Sequence, residues 1–188
     1  MDLALFHALN GLAGHALWLD RLLKWLATYL QVVLVGSVVL AWVWPGSAAD
    51  RVERERLVLY AVGATLLALG VAQVIGHLWF RERPYVHHSA HLLLHPSADP
   101  SFPSDHAIGG FALALPFVLA RRRLGWWLLS VATVLAVSRV AVGTHYPSDV
   151  LGGALLGAGA AWVVWTWRGW IEPVVEPCLR LGHRLHLA

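Results

Sequence analysis

Polar positions are sparse along this chain, and four uncharged apolar stretches lie between them: Trp25 to Ala49, Leu57 to Phe80, Leu124 to Ser138 and Val150 to Trp167. A helix that crosses about 30 Å of hydrocarbon needs about 20 mostly apolar residues. The first two stretches meet that length outright and the fourth just meets it. The third reaches it only if Arg139 is carried inside the span. A fifth crossing is predicted over Pro103 to Ala120, short but sufficient if its start lies at the interface. The pattern predicts an all-α integral membrane helical bundle of about five transmembrane helices, a single domain over residues 1–188.

The two ends read differently. In residues 1–23, Leu5, Leu9, Leu12, Ala16 and Leu19 recur near helical spacing, while His7, Asn10 and His15 interrupt the apolar face. This predicts an interfacial N-terminal helix leading into the first crossing, with a sixth spanning helix as the alternative. The segment has no basic leader, carries Asp2 and shows no small-residue cleavage site, so it does not read as a secretory signal. Pro173 and Pro177 are expected to end the last helix and leave residues 171–188 as a cytoplasmic tail.

Composition agrees with the span pattern, because 58% hydrophobic and 13% charged residues are too apolar for an ordinary soluble domain. The net charge of +3 comes from arginines that topology explains, so no nucleic-acid partner is expected. They cluster as Arg51, Arg54 and Arg56; Arg121, Arg122 and Arg123; Arg168, Arg180 and Arg184. These are alternate connections of a five-helix path, and the positive-inside rule assigns them to the cytoplasmic side. The connections at 81–102 and 143–146 then share the outer face. Tryptophans near span ends fit an aromatic belt, and Gly152, Gly153, Gly157 and Gly159 would let the last span approach a neighbour closely. Cys178 is the only cysteine, which excludes an internal disulfide.

The unusual chemistry sits in those outer connections. In SFPSDH, Pro103 suits the first position of a helix, so Ser104, Asp105 and His106 would form its first turn. Free backbone N–H groups and the positive end of the helix dipole there suit an anion. HYPSD repeats the device, with His145 just before a helix that Pro147 begins and Asp149 four residues after that histidine. Arg139 lies near the outer end of its span, where a charge is costly unless it is paired or faces a polar cavity. Its bland reading is an ion pair with Asp149 or Asp105; that of Arg83 is an interfacial snorkelling side chain. Both guanidinium groups otherwise suit phosphate oxygens. A histidine oriented by an aspartate can attack phosphorus, and a second histidine can protonate the leaving oxygen. His87, His88, His91 and His95 crowd one loop, read here as polar interfacial residues rather than metal ligands.

The series Arg83-Pro84, then Pro103-Ser104-Asp105-His106, then Ser138-Arg139 through His145 to Asp149 resembles the three-part signature of the type-2 phosphatidic acid phosphatase superfamily. Within it, ERPYVHHSAHLLLHPSADPSFPSDHA is most similar to bacterial undecaprenyl-diphosphatases of the bacitracin-resistance type. The resemblance implies His145 as nucleophile, Asp149 orienting it, and His106 as general acid and then base. It implies Arg83, Ser104, Arg139 and the backbone N–H of Asp105 as phosphate-binding groups. It also implies no metal and no cofactor, a membrane lipid diphosphate as substrate, and a bacterial inner-membrane location with the site facing the periplasm or exterior. The expected reaction is undecaprenyl diphosphate to undecaprenyl phosphate and phosphate through a phosphohistidine. Alternatives are another lipid phosphate, a lipid phosphotransferase, or a non-enzymatic metal- or haem-binding membrane protein.

Two positions depart from that signature. Gly76 stands where the family has lysine, with His77 or Arg81 as candidate replacements, and Asp105 stands where the wider pattern has glycine.

Overall fold

The computed structural model describes residues 1–184 and is all-helical over them. Eight helices follow in order: α1 Asp2–Asn10, α2 Leu17–Val43, α3 Ala48–Leu78, α4 Pro84–His87, α5 Asp105–Leu119, α6 Arg123–Ala141, α7 Pro147–Thr166 and α8 Arg168–Arg184. Helices α2, α3, α6 and α7 are long and apolar enough to cross a membrane, and α5 is a shorter apolar helix. The chain is a multi-pass membrane protein with the five-helix path the apolar pattern predicts.

Helix α5 explains how a short segment serves in such a bundle. Its 15 residues rise about 22 Å, less than the hydrocarbon thickness. It packs against α3, α6 and α7, and Ala107, Ile108, Ala112 and Ala114 are fully buried. Irregular backbone at membrane depth is tolerated where protein rather than lipid surrounds it. The connection leading into α5 can therefore end within the bundle.

Close approach of α7 to α5 needs two of the four glycines. A Cβ at Gly157 would lie 2.4 Å from the Ile108 carbonyl oxygen, and one at Gly153 would lie 2.5 Å from that of Ser104. Gly152 faces the Phe102 ring instead, and nothing lies within 4 Å of a Cβ at Gly159. Gly157→Ala is expected to cost about 1–3 kcal/mol by forcing the helices apart. Thermal unfolding in detergent checks this, with Gly159→Ala expected to match the unsubstituted protein.

The termini correct two expectations. Helix α1 has only 9 residues, too short to cross, and the first crossing already begins at Leu17, inside the segment assigned to an interfacial helix. Asn10 ties α1 down rather than weakening it. Its Nδ2 donates to the carbonyls of His91 (3.0 Å) and Ala141 (2.9 Å), and its Oδ1 accepts from the His91 N–H. At the other end, Pro173 and Pro177 do not end a helix but lie inside α8. Both are exposed, so the carbonyls they leave unpaired face outward, while Val175 and Leu179 anchor the opposite side. Arg56 holds that helix by pairing with Glu172 at 2.7 Å and Glu176 at 2.9 Å. The end of the bundle bearing these pairs also carries Arg122 against Asp50 and Glu53. The residues of the candidate site meet at the opposite end.

Candidate active site

His145 lies in the turn between α6 and α7, which Gly143 makes possible by adopting φ +84°. A side chain there would be strained, and its Cβ would also press on the His91 carbonyl oxygen at 2.8 Å. The turn is closed by Thr144, whose Oγ1 donates to the Arg139 carbonyl at 2.8 Å. His145 is buried, and its Nδ1 lies 2.8 Å from the Ser101 carbonyl oxygen. A carbonyl can only accept, so Nδ1 carries the hydrogen and Nε2 is left with its lone pair. Asp149 Oδ2 stands farther off, 3.8 Å from Nδ1. The aspartate thus faces the imidazole electrostatically, while Ser101 makes the shorter contact.

Burial pushes the His145 imidazole below its ordinary pKa, and Arg83 and Arg139 push it the same way. Contact with Asp149 acts in the opposite direction, and the net effect is downward. His145 is therefore a neutral imidazole at pH 7, as a nucleophile or an acceptor must be.

Arg83, Asp105, His106, Arg139 and His145 line one cavity of about 200 Å³. Arg83 reaches it from the residue before α4: its Nε donates to the Asp99 carbonyl and its Nη1 to that of Thr144, each at 3.1 Å. The same Nη1 is 3.3 Å from His145 Nε2. Arg139 donates from Nη1 to the Ala27 carbonyl at 3.3 Å, and its Nε is buried without a partner. Neither guanidinium forms an ion pair among the described residues, so the bland reading of Arg139 as half of an ion pair with Asp149 or Asp105 does not hold. Two like charges with no carboxylate bonded to either suit an anion with several oxygens.

The start of α5 differs from the expectation. Pro103 is not its first residue: Ser104 is the cap, and the helix begins at Asp105. The Ser104 N–H donates to the Asp149 carbonyl at 3.1 Å, which holds Ser104 extended and sets the helix start two residues later than proline alone would. Its Oγ is buried with no hydrogen-bond partner. The first N–H of α5 to bond within it is that of Ile108, to the Ser104 carbonyl, which leaves those of Asp105, His106 and Ala107 free of intrahelical bonds. Asp149 sits behind the cavity, fully buried. Its Oδ2 accepts from Ser101 Oγ at 2.5 Å and from the Tyr146 N–H at 2.8 Å, and its Oδ1 accepts from Arg81 at 2.6 Å.

Of the candidate replacements for the family lysine, neither lines this cavity. Arg81 is engaged behind it, and His77 lines an adjoining cavity of about 580 Å³ with Gln73, Gly76, Phe80 and Phe102. The four loop histidines diverge. His87 pairs with Glu82, His88 meets the Tyr146 ring edge-on, His91 packs at Gly14, and His95 lines the 200 Å³ cavity. Among the described residues, no group of three or more His, Cys, Asp or Glu side chains converges as a metal site would require. Sequence reasoning missed Asp99, Ser101 and Thr144, whose carbonyls hold Arg83 and His145 as those of any residue could, although the Ser101 and Thr144 hydroxyls add bonds to Asp149 and to the Arg139 carbonyl.

The model of the PAP2 superfamily matches residues 57–173. The chain is 30% identical to undecaprenyl-diphosphatase BcrC of Bacillus subtilis, over 96% of this chain and 91% of that one. It is 37% identical to YbjG of Escherichia coli K12, over 88% of this chain and 83% of that one. Among solved structures it shares the fold of Aquifex aeolicus LpxE with a TM-score of 0.73 and 22% identity, covering 88% of this chain and 94% of the other.

Proposed function

The chain belongs to the PAP2 superfamily, and from that premise we propose that this membrane lipid phosphatase converts undecaprenyl diphosphate to undecaprenyl phosphate and inorganic phosphate through a phosphohistidine. One observation carries the reading: Arg83 and Arg139, free of carboxylate partners, border the same cavity as the neutral His145 and as His106. The name of the Bacillus subtilis relative, matched over nearly its whole length, supports the choice of lipid.

In this account the terminal phosphate enters the 200 Å³ cavity between the two guanidinium groups, with the free N–H groups at the start of α5 as further donors. Ser104 Oγ, unpartnered at the cap of that helix though not in the cavity lining, turns to join them. The adjoining cavity shares Asp99, Pro100, Pro103 and Asp105 with it and takes the lipid-linked half. Arg83 Nη1, which faces His145 Nε2 at 3.3 Å, turns to the phosphate oxygens, and the freed Nε2 lone pair forms a bond to phosphorus as the bridging P–O bond breaks. His106 gives a proton to the departing lipid phosphate. It then takes one from a water that attacks phosphorus, which breaks the P–N bond and releases phosphate. The His106 side chain forms no hydrogen bond among the described residues, which leaves its ring free for both duties. Positioning and fixed positive charge supply most of the rate in phosphoryl transfer, and the arginines provide the charge without a metal.

The arginine-rich end of the bundle faces the cytoplasm in this reading, and the cavity opens on the outer face of the bacterial cytoplasmic membrane. Phosphate release from undecaprenyl diphosphate by the detergent-purified protein, with and without EDTA, is the test. Release that EDTA leaves unchanged is expected. Release lost to EDTA would overturn the metal-free mechanism, and preference for phosphatidic acid or phosphatidylglycerol phosphate would overturn the choice of lipid.

A further inference from the structure

Arg81 takes no part in the cavity, yet it is tied to the groups that hold His145 from two directions. Its Nη1 donates to Asp149 Oδ1 at 2.6 Å and to Ser148 Oγ at 2.7 Å. Its backbone carbonyl accepts the Ser101 N–H at 2.8 Å. Ser101 in turn gives its Oγ proton to Asp149 and its carbonyl to His145 Nδ1. The guanidinium also stacks on Tyr146, with its carbon 4.1 Å from the ring centroid. One residue therefore braces both groups that face the Nδ1 side of the imidazole.

The brace is itself anchored by α1. Arg81 Nη2 donates to Asp2 Oδ2 at 2.8 Å. Asp2 also accepts from the Ser148 N–H at 2.9 Å and its Oγ at 2.6 Å, at the first turn of α7. Burial acts to raise the Asp2 carboxyl, but the hydrogen bonds from Ser148 and Arg81 outweigh it and hold it below its ordinary pKa. Phe6 of α1 is fully buried in a cluster with Val140 and Tyr146, so the short helix is docked rather than loosely attached.

We propose that Arg81, anchored by Asp2 of the N-terminal helix, is a positioning residue that holds Asp149 and Ser101 against His145 and offsets the charge that Asp149 presents to the imidazole. The proposal rests on the reading of His145 as nucleophile. A carboxylate facing an imidazole favours its protonated form, which cannot attack. A guanidinium on the far oxygen of that carboxylate weakens the effect. The other charged and titratable groups that share the cavity with His145 are Arg83 beside α4, Tyr85 on it, His95 and Asp99 after it, Asp105 and His106 on α5 and Arg139 on α6. None of them is paired with Arg81, so Arg81→Gln leaves those groups in place while it removes the charge behind Asp149 and, with it, the pairing with Asp2 and the stacking on Tyr146.

The experiment combines steady-state kinetics on undecaprenyl diphosphate with NMR titration of the His145 ring, its signal identified by its loss in His145→Ala. Arg81→Gln is expected to lower kcat about tenfold to a hundredfold, the loss seen when the outer partners of metal-bound histidines are removed, with KM within about threefold. His145 should protonate at higher pH in that variant, and the acidic limb of kcat should move up with it. Arg81→Lys should recover part of kcat, and Asp2→Ala should lose less than Arg81→Gln. Unchanged kcat in Arg81→Gln would overturn the proposal, as would a loss without movement of the His145 titration. If Arg81→Gln does not fold, unaltered kcat in both Arg81→Lys and Asp2→Ala overturns it. The titration needs no substrate, so failure of the phosphatase reading would show in unsubstituted protein without touching this result.

Discussion

Alanine at position 145 is expected to lower turnover of undecaprenyl diphosphate by about four orders of magnitude or more, as loss of a covalent nucleophile does in enzymes that act through one. The geometry behind this is specific. Ser101 fixes the hydrogen on Nδ1, burial and the two arginines keep the ring neutral, and Nε2 stands 3.3 Å from Arg83. No other side chain lining the cavity combines a fixed lone pair with a flanking cation. Arg83 and Arg139 keep their other bonds when the ring is removed, so the variant should still bind the lipid diphosphate. A turnover assay paired with a binding measurement in the same detergent checks both halves. Turnover within about tenfold of the unsubstituted protein would remove His145 from the nucleophile's role.

The second large effect belongs to His106, and its size should depend on the leaving group. General acid–base catalysis contributes about 10²–10⁴ to rate. A lipid monophosphate departs from a diphosphate as a fairly stable anion, whereas the alkoxide leaving a phosphomonoester needs a proton. His106→Ala is therefore expected to lose about a hundredfold on undecaprenyl diphosphate, mainly through the water step, and toward ten-thousandfold on phosphatidic acid. Rates of the variant on the two lipids, each against unsubstituted protein, give the comparison. Equal losses on both would argue against proton donation by His106.

Much of this was legible in the sequence because it follows from periodic or additive signals. Long apolar runs marked the spanning helices, and arginine clusters in alternate connections brought 81–102 and 143–146 to one end. The structure gathers Arg83, His106, Arg139 and His145 around one cavity there. What was not legible rests on single long-range pairings. Asp2 meets Arg81 from 79 residues away and Ser148 from 146, and nothing in the run around Asp2 signals it. Arg81 looked like a stand-in for the absent lysine because it neighbours Arg83-Pro84, yet Asp149, Ser148 and Asp2 capture it. Pro103 read as a helix start by local preference, which the Ser104 bond to Asp149 overrides. The prolines of α8 misled in the same way, since ion pairs from Arg56 and two buried apolar side chains hold that helix through them.

The central claim is a phosphoryl group carried on His145, and rapid quenching with substrate radiolabelled in its terminal phosphate tests it most directly. In the His106→Ala variant the water step slows more than the first transfer, so the covalent species should accumulate. The account predicts protein-bound label that is stable to base, labile to acid, located on His145 and absent from His145→Ala. Phosphate released by His106→Ala with no label on protein at any time, or label on another residue, would contradict it.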